Sequence, residues 1–150
     1  PVDQRPLVVR HDAKGQGQFG ANRSGARRHR GVDLEAPLHS PVRAIRGGRI
    51  IEQGIHPGLG VFITVQHRGQ LRSLYAHLAE AYPDTGQWVR QGQVIGRVGK
   101  TGNAAQDAIQ PHLHLEVHRG GVPIDPATLG LVWVEGYPEE ADGNSTVGGD

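Results

Sequence analysis

No part of this chain carries the long amphipathic run of a helix. Twenty-three glycines and ten prolines are spread through its 150 residues and break every stretch of helix formers. What lies between the breaks is short, β-branched and often alternating, the pattern of strands separated by turns. Strands are predicted near Val42–Ile45, Gly48–Ile55, Val61–Gln66, Leu71–His77, Gln93–Val98 and His112–His118. Val61 to Val65 reads as a central strand, and Arg68-Gly69 as the turn of a hairpin into Leu71. The reading is an all-β or nearly all-β domain with long functional loops.

Length and composition narrow the function. A chain of 150 residues makes one domain with a modest core. We expect it to end near residue 134, with the Gly-containing acidic stretch 135–150 as a flexible tail. The absence of cysteine excludes disulfides and thiolate metal sites, so a metal here must be held by imidazole and carboxylate. A net charge of +1 is too balanced for a dedicated nucleic-acid binder. No apolar run reaches the roughly 18 residues of a membrane span. The chain starts at Pro1 without an initiator methionine and reads as a processed or trimmed product, any leader already removed. Arg23, Arg27, Arg28 and Arg30 cluster in a polar stretch, residues 11–31, expected to wrap the site. They are either a solvated loop or a clamp for anionic substrate.

Three phrases carry the chemistry. His112 and His114 lie two apart on a predicted strand, so both imidazoles point into one cleft, with Leu113, Leu115 and Val117 on the core side. His29 and Asp33 flank Gly31, a spacing that lets two ligands reach one cation from a bending loop. His77 closes an apolar strand and by alternation shares a face with Tyr75 and Ser73. Glu116 shares the face of His112 and His114, either orienting an imidazole or facing solvent. Each phrase alone is as easily a solvated loop or a hydrogen-bonded histidine. Together they form the borderline ligands and extra imidazoles that a hydrolytic zinc site needs. His11, His39, His56, His67 and His118 read as surface or loop residues, and Trp88 and Trp133 as core or edge packing. No Cys nucleophile, His-Glu-x-x-His helix, Gly-x-Ser-x-Gly elbow or Walker loop is present.

The phrases His29-x-Gly-Val-Asp-Leu, Tyr75-Ala-His-Leu and Pro111-His-Leu-His-Leu-Glu-Val, in this order, resemble the lysostaphin-type (LytM) zinc metallopeptidases that cut peptidoglycan. Val89-Arg-Gln-Gly-Gln-Val-Ile-Gly96 and Ile124-Asp-Pro126 also fit, and the resemblance runs from about Phe19 to Pro126. It implies a twisted antiparallel β-sheet with long loops walling a groove. It implies one zinc ion per chain on His29, Asp33 and His114, with His77 and His112 beside it as the catalytic residues. It implies peptidoglycan peptides as substrate, and with them an extracellular or periplasmic location. We expect a monomer. Departures from the family pattern at Gly58–Val61 and Asn103–Gln110 lie at the groove wall and bear on substrate subsites.

Three protein ligands on zinc leave a fourth position for water. Protonating ligand imidazoles should release the metal, so activity should fall in mild acid. Two other readings stand beside the endopeptidase. One is a non-catalytic zinc-binding wall-recognition or regulatory module. The other is a metallohydrolase of a different substrate, with the arginine cluster reading phosphate.

Overall fold

The computed structural model describes residues 1–3, 7–9, 11–12, 15–16, 19–20, 30–105, 109–129 and 133–135. The predicted tail beyond residue 135, His29, and most of the arginine-rich stretch lie outside the described residues. Within them the strands are β1 (Leu7–Val9), β2 (His11–Asp12), β3 (Gly15–Gln16), β4 (Val32–Glu35), β5 (Pro41–Arg43), β6 (Gly48–His56) and β7 (Gly60–Gln66), followed by β8 (Leu71–Ala81), β9 (Trp88–Val89), β10 (Val94–Val98), β11 (His112–Arg119), β12 (Val122–Ile124) and β13 (Trp133–Glu135). Two 3₁₀ turns, Gly102–Ala105 and Pro126–Leu129, are the helical elements among these residues.

All strands but the β2–β3 pair join one sheet whose main path runs β13-β1-β4-β11-β8-β7-β6-β9. Every pairing is antiparallel except β1 with β13. β10 pairs with both β5 and β8. Each predicted strand is present, most of them within a residue or two of the expected bounds; β8 continues past His77 to Ala81. The predicted hairpin turn follows β7, with Gly69 and Gln70 both left-handed at φ 74° and 60° and His67 N–H donating to Leu71 O at 2.8 Å.

Alternation sorts the side chains. Val32, Leu34, Ile63, Tyr75, Leu113 and Leu115 are fully buried and belong to one core cluster. Their neighbours Asp33, His112, His114 and Glu116 lie on the opposite face of β4 and β11. Burying the apolar face removes hydrocarbon from water at roughly 25 cal/mol per Å², and this fixes the register that aligns the polar face.

Of the core and edge places open to Trp88, it takes the edge, 71 % exposed on strand β9. One expectation changes here. His67 is 7 % exposed and is no surface residue. Its Nδ1 donates to Gly47 O (2.8 Å) and its Nε2 meets Ser73 Oγ (2.7 Å). Ser73 in turn bonds the Tyr75 hydroxyl (2.8 Å), which accepts from Ile45 N–H (2.9 Å).

Candidate metal centre

The centre is built on the register of β4 against β11. Asp33 stands directly opposite His114, and Glu35 opposite His112. Cross-strand partners share a face, so two phrases 81 residues apart in sequence meet without any special loop. Asp33 Oδ1 lies 2.7 Å from His114 Nδ1, and Asp33 Oδ2 lies 3.7 Å from His112 Nε2. Gly31 serves this register by its size. A Cβ there would collide with the Leu115 carbonyl and the Glu116 side chain, so β4 enters against β11 only without one.

His77 reaches the same place by a different route. Alternation had put it with Tyr75 and Ser73. Those two stand opposite Leu115 and Val117, on the core face. His77 leaves them because β8 carries one extra residue: Val61 pairs with Leu78 but Ile63 pairs with Tyr75. Two residues, Ala76 and His77, therefore oppose one, which is a β-bulge. His77 takes a left-handed φ of 63° there. Its N–H donates to Leu59 O (2.8 Å) and its carbonyl accepts from Gly99 N–H (3.0 Å). The ring thus stands 5.2 Å from that of His112 and 5.8 Å from that of His114, centroid to centroid.

Main-chain carbonyls fix both outer imidazoles. His77 Nδ1 donates to Thr101 O (2.8 Å), and His112 Nδ1 to Gln110 O (2.7 Å). In each ring Nε2 is left as the acceptor nitrogen. Burial, then the neighbouring His112 and His114, push His77 down to about 3, so it is neutral at neutral pH.

His114 is held from both sides. Glu116 Oε2 lies 2.8 Å from its Nε2, and Glu116 Oε1 lies 2.7 Å from His118 Nε2. Burial opposes a charge on His114, but the hydrogen bonds to Asp33 and Glu116 outweigh it and raise the group to about 9. Burial likewise opposes a charge on Glu116, and the bond to His114 overrides it and draws the carboxyl to about 2. Glu116 is the imidazole-orienting partner of the two roles open to it in sequence. His118, expected at the surface, joins it; the alternation that aligned positions 112, 114 and 116 extends to 118 and was the available signal. The Thr101 and Gln110 carbonyls had no sequence signal.

Four of the five predicted site residues, Asp33, His77, His112 and His114, are brought together; the fifth, His29, lies outside the described residues. Among the described residues no group of three His, Cys, Asp or Glu forms a ready cage for an ion. The donors nevertheless suit zinc: an aspartate oxygen faces an imidazole Nδ1, and the other nitrogen of that imidazole is held by a carboxylate. At 2.7 Å the two donors bond each other; ligands on one tetrahedral zinc stand about 3.3 Å apart, so the pair must part slightly to admit the ion.

An antiparallel sheet presenting a buried Asp–His pair beside two oriented imidazoles has the donor chemistry of a metallohydrolase. The chain belongs to peptidase family M23, whose family model matches residues 27–126. It is 39 % identical over 105 residues to the DD-carboxypeptidase/endopeptidase Mpg of Neisseria meningitidis, covering 70 % of this chain and 23 % of that protein. It is 33 % identical over 97 residues to the peptidoglycan DD-endopeptidase ShyB of Vibrio cholerae, covering 65 % of this chain and 22 % of the relative. A zinc-containing peptidase from Vibrio cholerae shares the fold with a TM-score of 0.67 at 29 % identity, covering 83 % of this chain and 37 % of that one. The chain thus spans about a quarter of the length of these curated relatives.

Proposed function

We propose that this chain is a zinc-dependent endopeptidase acting on peptide bonds of bacterial peptidoglycan, in stem or cross-bridge peptides. One observation carries the reading: Asp33 and His114 face each other as donors, and the two imidazoles beside them are already oriented by backbone carbonyls. His29, Asp33 and His114 would hold one zinc ion. When bound, zinc lowers the pKa of water and polarises a carbonyl oxygen. With one carboxylate in the ligand set, the centre keeps a net positive charge, which preserves that Lewis acidity.

His77 and His112 do the proton work. Each has committed its Nδ1 proton to a main-chain carbonyl, so proton exchange falls to Nε2. An Nε2 lone pair takes the proton of an attacking water, and an Nε2–H is given to the leaving amine. Each such group contributes on the order of 10²–10⁴-fold. Glu116 positions His114 through Nε2, keeping Nδ1 turned to Asp33.

The names of the relatives favour a DD cross-link as the first bond to assay, and with it extracellular or periplasmic action. The test is release of peptides from purified sacculi, read by mass spectrometry, with and without 1,10-phenanthroline. Products that appear only without the chelator, and vanish in His77→Ala, support the reading. A zinc-loaded protein that releases nothing overturns it in favour of a non-catalytic module.

A further inference from the structure

At the other end of the sheet from the metal centre lies a second concave site. β7 starts at Gly60, beside the Thr101 that holds His77, and ends at Gln66. Six residues of strand put that far end about 20 Å from the centre. There a cleft of about 750 Å³ opens among Arg46, Arg49, Gln66, Arg68 and Trp88. Its floor is rigid: the Gly47 carbonyl is tied to the buried His67, and a Cβ on Gly48 would strike the Gln66 carbonyl.

Its chemistry is unusual for a surface that does nothing. No carboxylate is among the lining residues. Arg46, Arg49 and Arg68 form no ion pair among the described residues, and all three are exposed. Trp88, 71 % exposed, lines the cleft with the Arg49 guanidinium 6.0 Å from its ring centroid. An indole left in water is a flat apolar platform, and a guanidinium is a planar fork for carboxylate or phosphate. A concave site with one aromatic wall does not match a lipid surface, which wants a convex apolar face.

We infer that this cleft binds an acidic carbohydrate chain, a sugar ring stacking on Trp88 and its carboxylate or phosphate groups on Arg46, Arg49 and Arg68. The inference builds on the proposed function, since one wall polymer could lie in the cleft while its peptide reaches the centre. The anion has two possible sources, carboxylates of the peptidoglycan glycan or phosphates of a phosphodiester wall polymer, and the ligand chemistry is common to both.

The test uses the zinc-loaded protein and three probes at physiological salt: peptide-free glycan strands with free carboxylates, a phosphodiester sugar polymer, and neutral chitin oligosaccharides. Binding is read by tryptophan fluorescence and co-sedimentation. Binding to either acidic probe above the neutral one is the expected result, and the preferred probe identifies the source. Trp88→Ala, and Arg49→Gln with Arg68→Gln, should each weaken it by about tenfold. These side chains are exposed, so the variants should keep the thermal midpoint and the cleavage of a short soluble peptide. Equal binding of neutral oligosaccharide, binding unchanged in the variants, or preference for phosphatidylglycerol vesicles overturns the inference. Failure of the unaltered protein to cut the short peptide would overturn the hydrolase reading alone, because glycan binding is measured without turnover.

Discussion

The left-handed backbone at His77 is what lets one residue of β8 abandon the core for the candidate metal centre. A non-glycine residue in that region costs on the order of 1–2 kcal/mol, and the hydrogen bonds to Leu59 and Gly99 hold it there. The backbone and imidazole contributions can be separated. His77→Ala and His77→Gly should both lose turnover by about 10²-fold or more, while zinc, measured by metal analysis, stays stoichiometric. His77→Gly should be more stable than His77→Ala by about 1 kcal/mol in urea unfolding; equal stability would show that the φ of 63° carries no strain. Glu116 gives a second prediction. Glu116→Gln removes the charge behind His114 Nε2, and zinc affinity, by competition with a chelating dye, should fall about 10–100-fold. Gly31 gives a third. Gly31→Ala drives a methyl into the Leu115 carbonyl, and should cost about 1–3 kcal/mol and weaken zinc with it.

β11 and β4 show what an element makes legible, and β8 what it hides. Period-two alternation is a local property, so His112, His114 and Glu116 could be put on one face from sequence, and Asp33 could be matched to that face once strand pairing was assumed. The bulge in β8 was not legible. It rests on bonds from His77 to Leu59 and Gly99, residues of other segments, and nothing in Tyr75-Ala76-His77 announces an extra residue. The same limit hid His67, whose partners Gly47 and Ser73 flank it from two different strand ends. His67 carries a prediction for its hairpin. Burial lowers it from 6.5 against the raising effect of the Gly47 bond, and the charge of Arg46 lowers it further. The folded protein therefore holds His67 neutral where the unfolded chain is protonated. As pH falls below about 6.5 the unfolded state binds more protons and stability drops, by at most about 1.4 kcal/mol per pH unit for one proton. Urea unfolding of the zinc-loaded protein at pH 7.5 and 5.5 measures it, and His67→Gln should remove that share of the slope. An unchanged slope would mean that His67 is charged in the fold.

For the whole molecule, the proposed ion joins segments that the sheet alone brings near. Asp33 and His114 are already paired across β4 and β11 and need no metal to meet. His29 lies four residues before Asp33 and belongs to the stretch leading into β4. Zinc would therefore add a tether between that stretch and a sheet that is already formed, so the metal-free protein should stay folded and lose only a linkage term. A ligand that binds the folded state alone stabilises by about 2.7 kcal/mol at a concentration one hundred times its Kd. For a chain of this size that corresponds to a rise of roughly 5–10 °C in Tm. Calorimetry of the chelated protein with zinc added back should show that rise, with a cooperative transition in both forms. His114→Ala should abolish the rise, since Nδ1 is the donor facing Asp33. His77→Ala should keep it, because that ring is held by Thr101 and not by the ion. If zinc instead raised Tm equally in His114→Ala, the ion would be bound elsewhere and the proposed ligand set would be wrong. If the chelated protein showed no cooperative transition at all, the metal would be part of the folding nucleus, and the sheet would not be the self-sufficient scaffold its register describes.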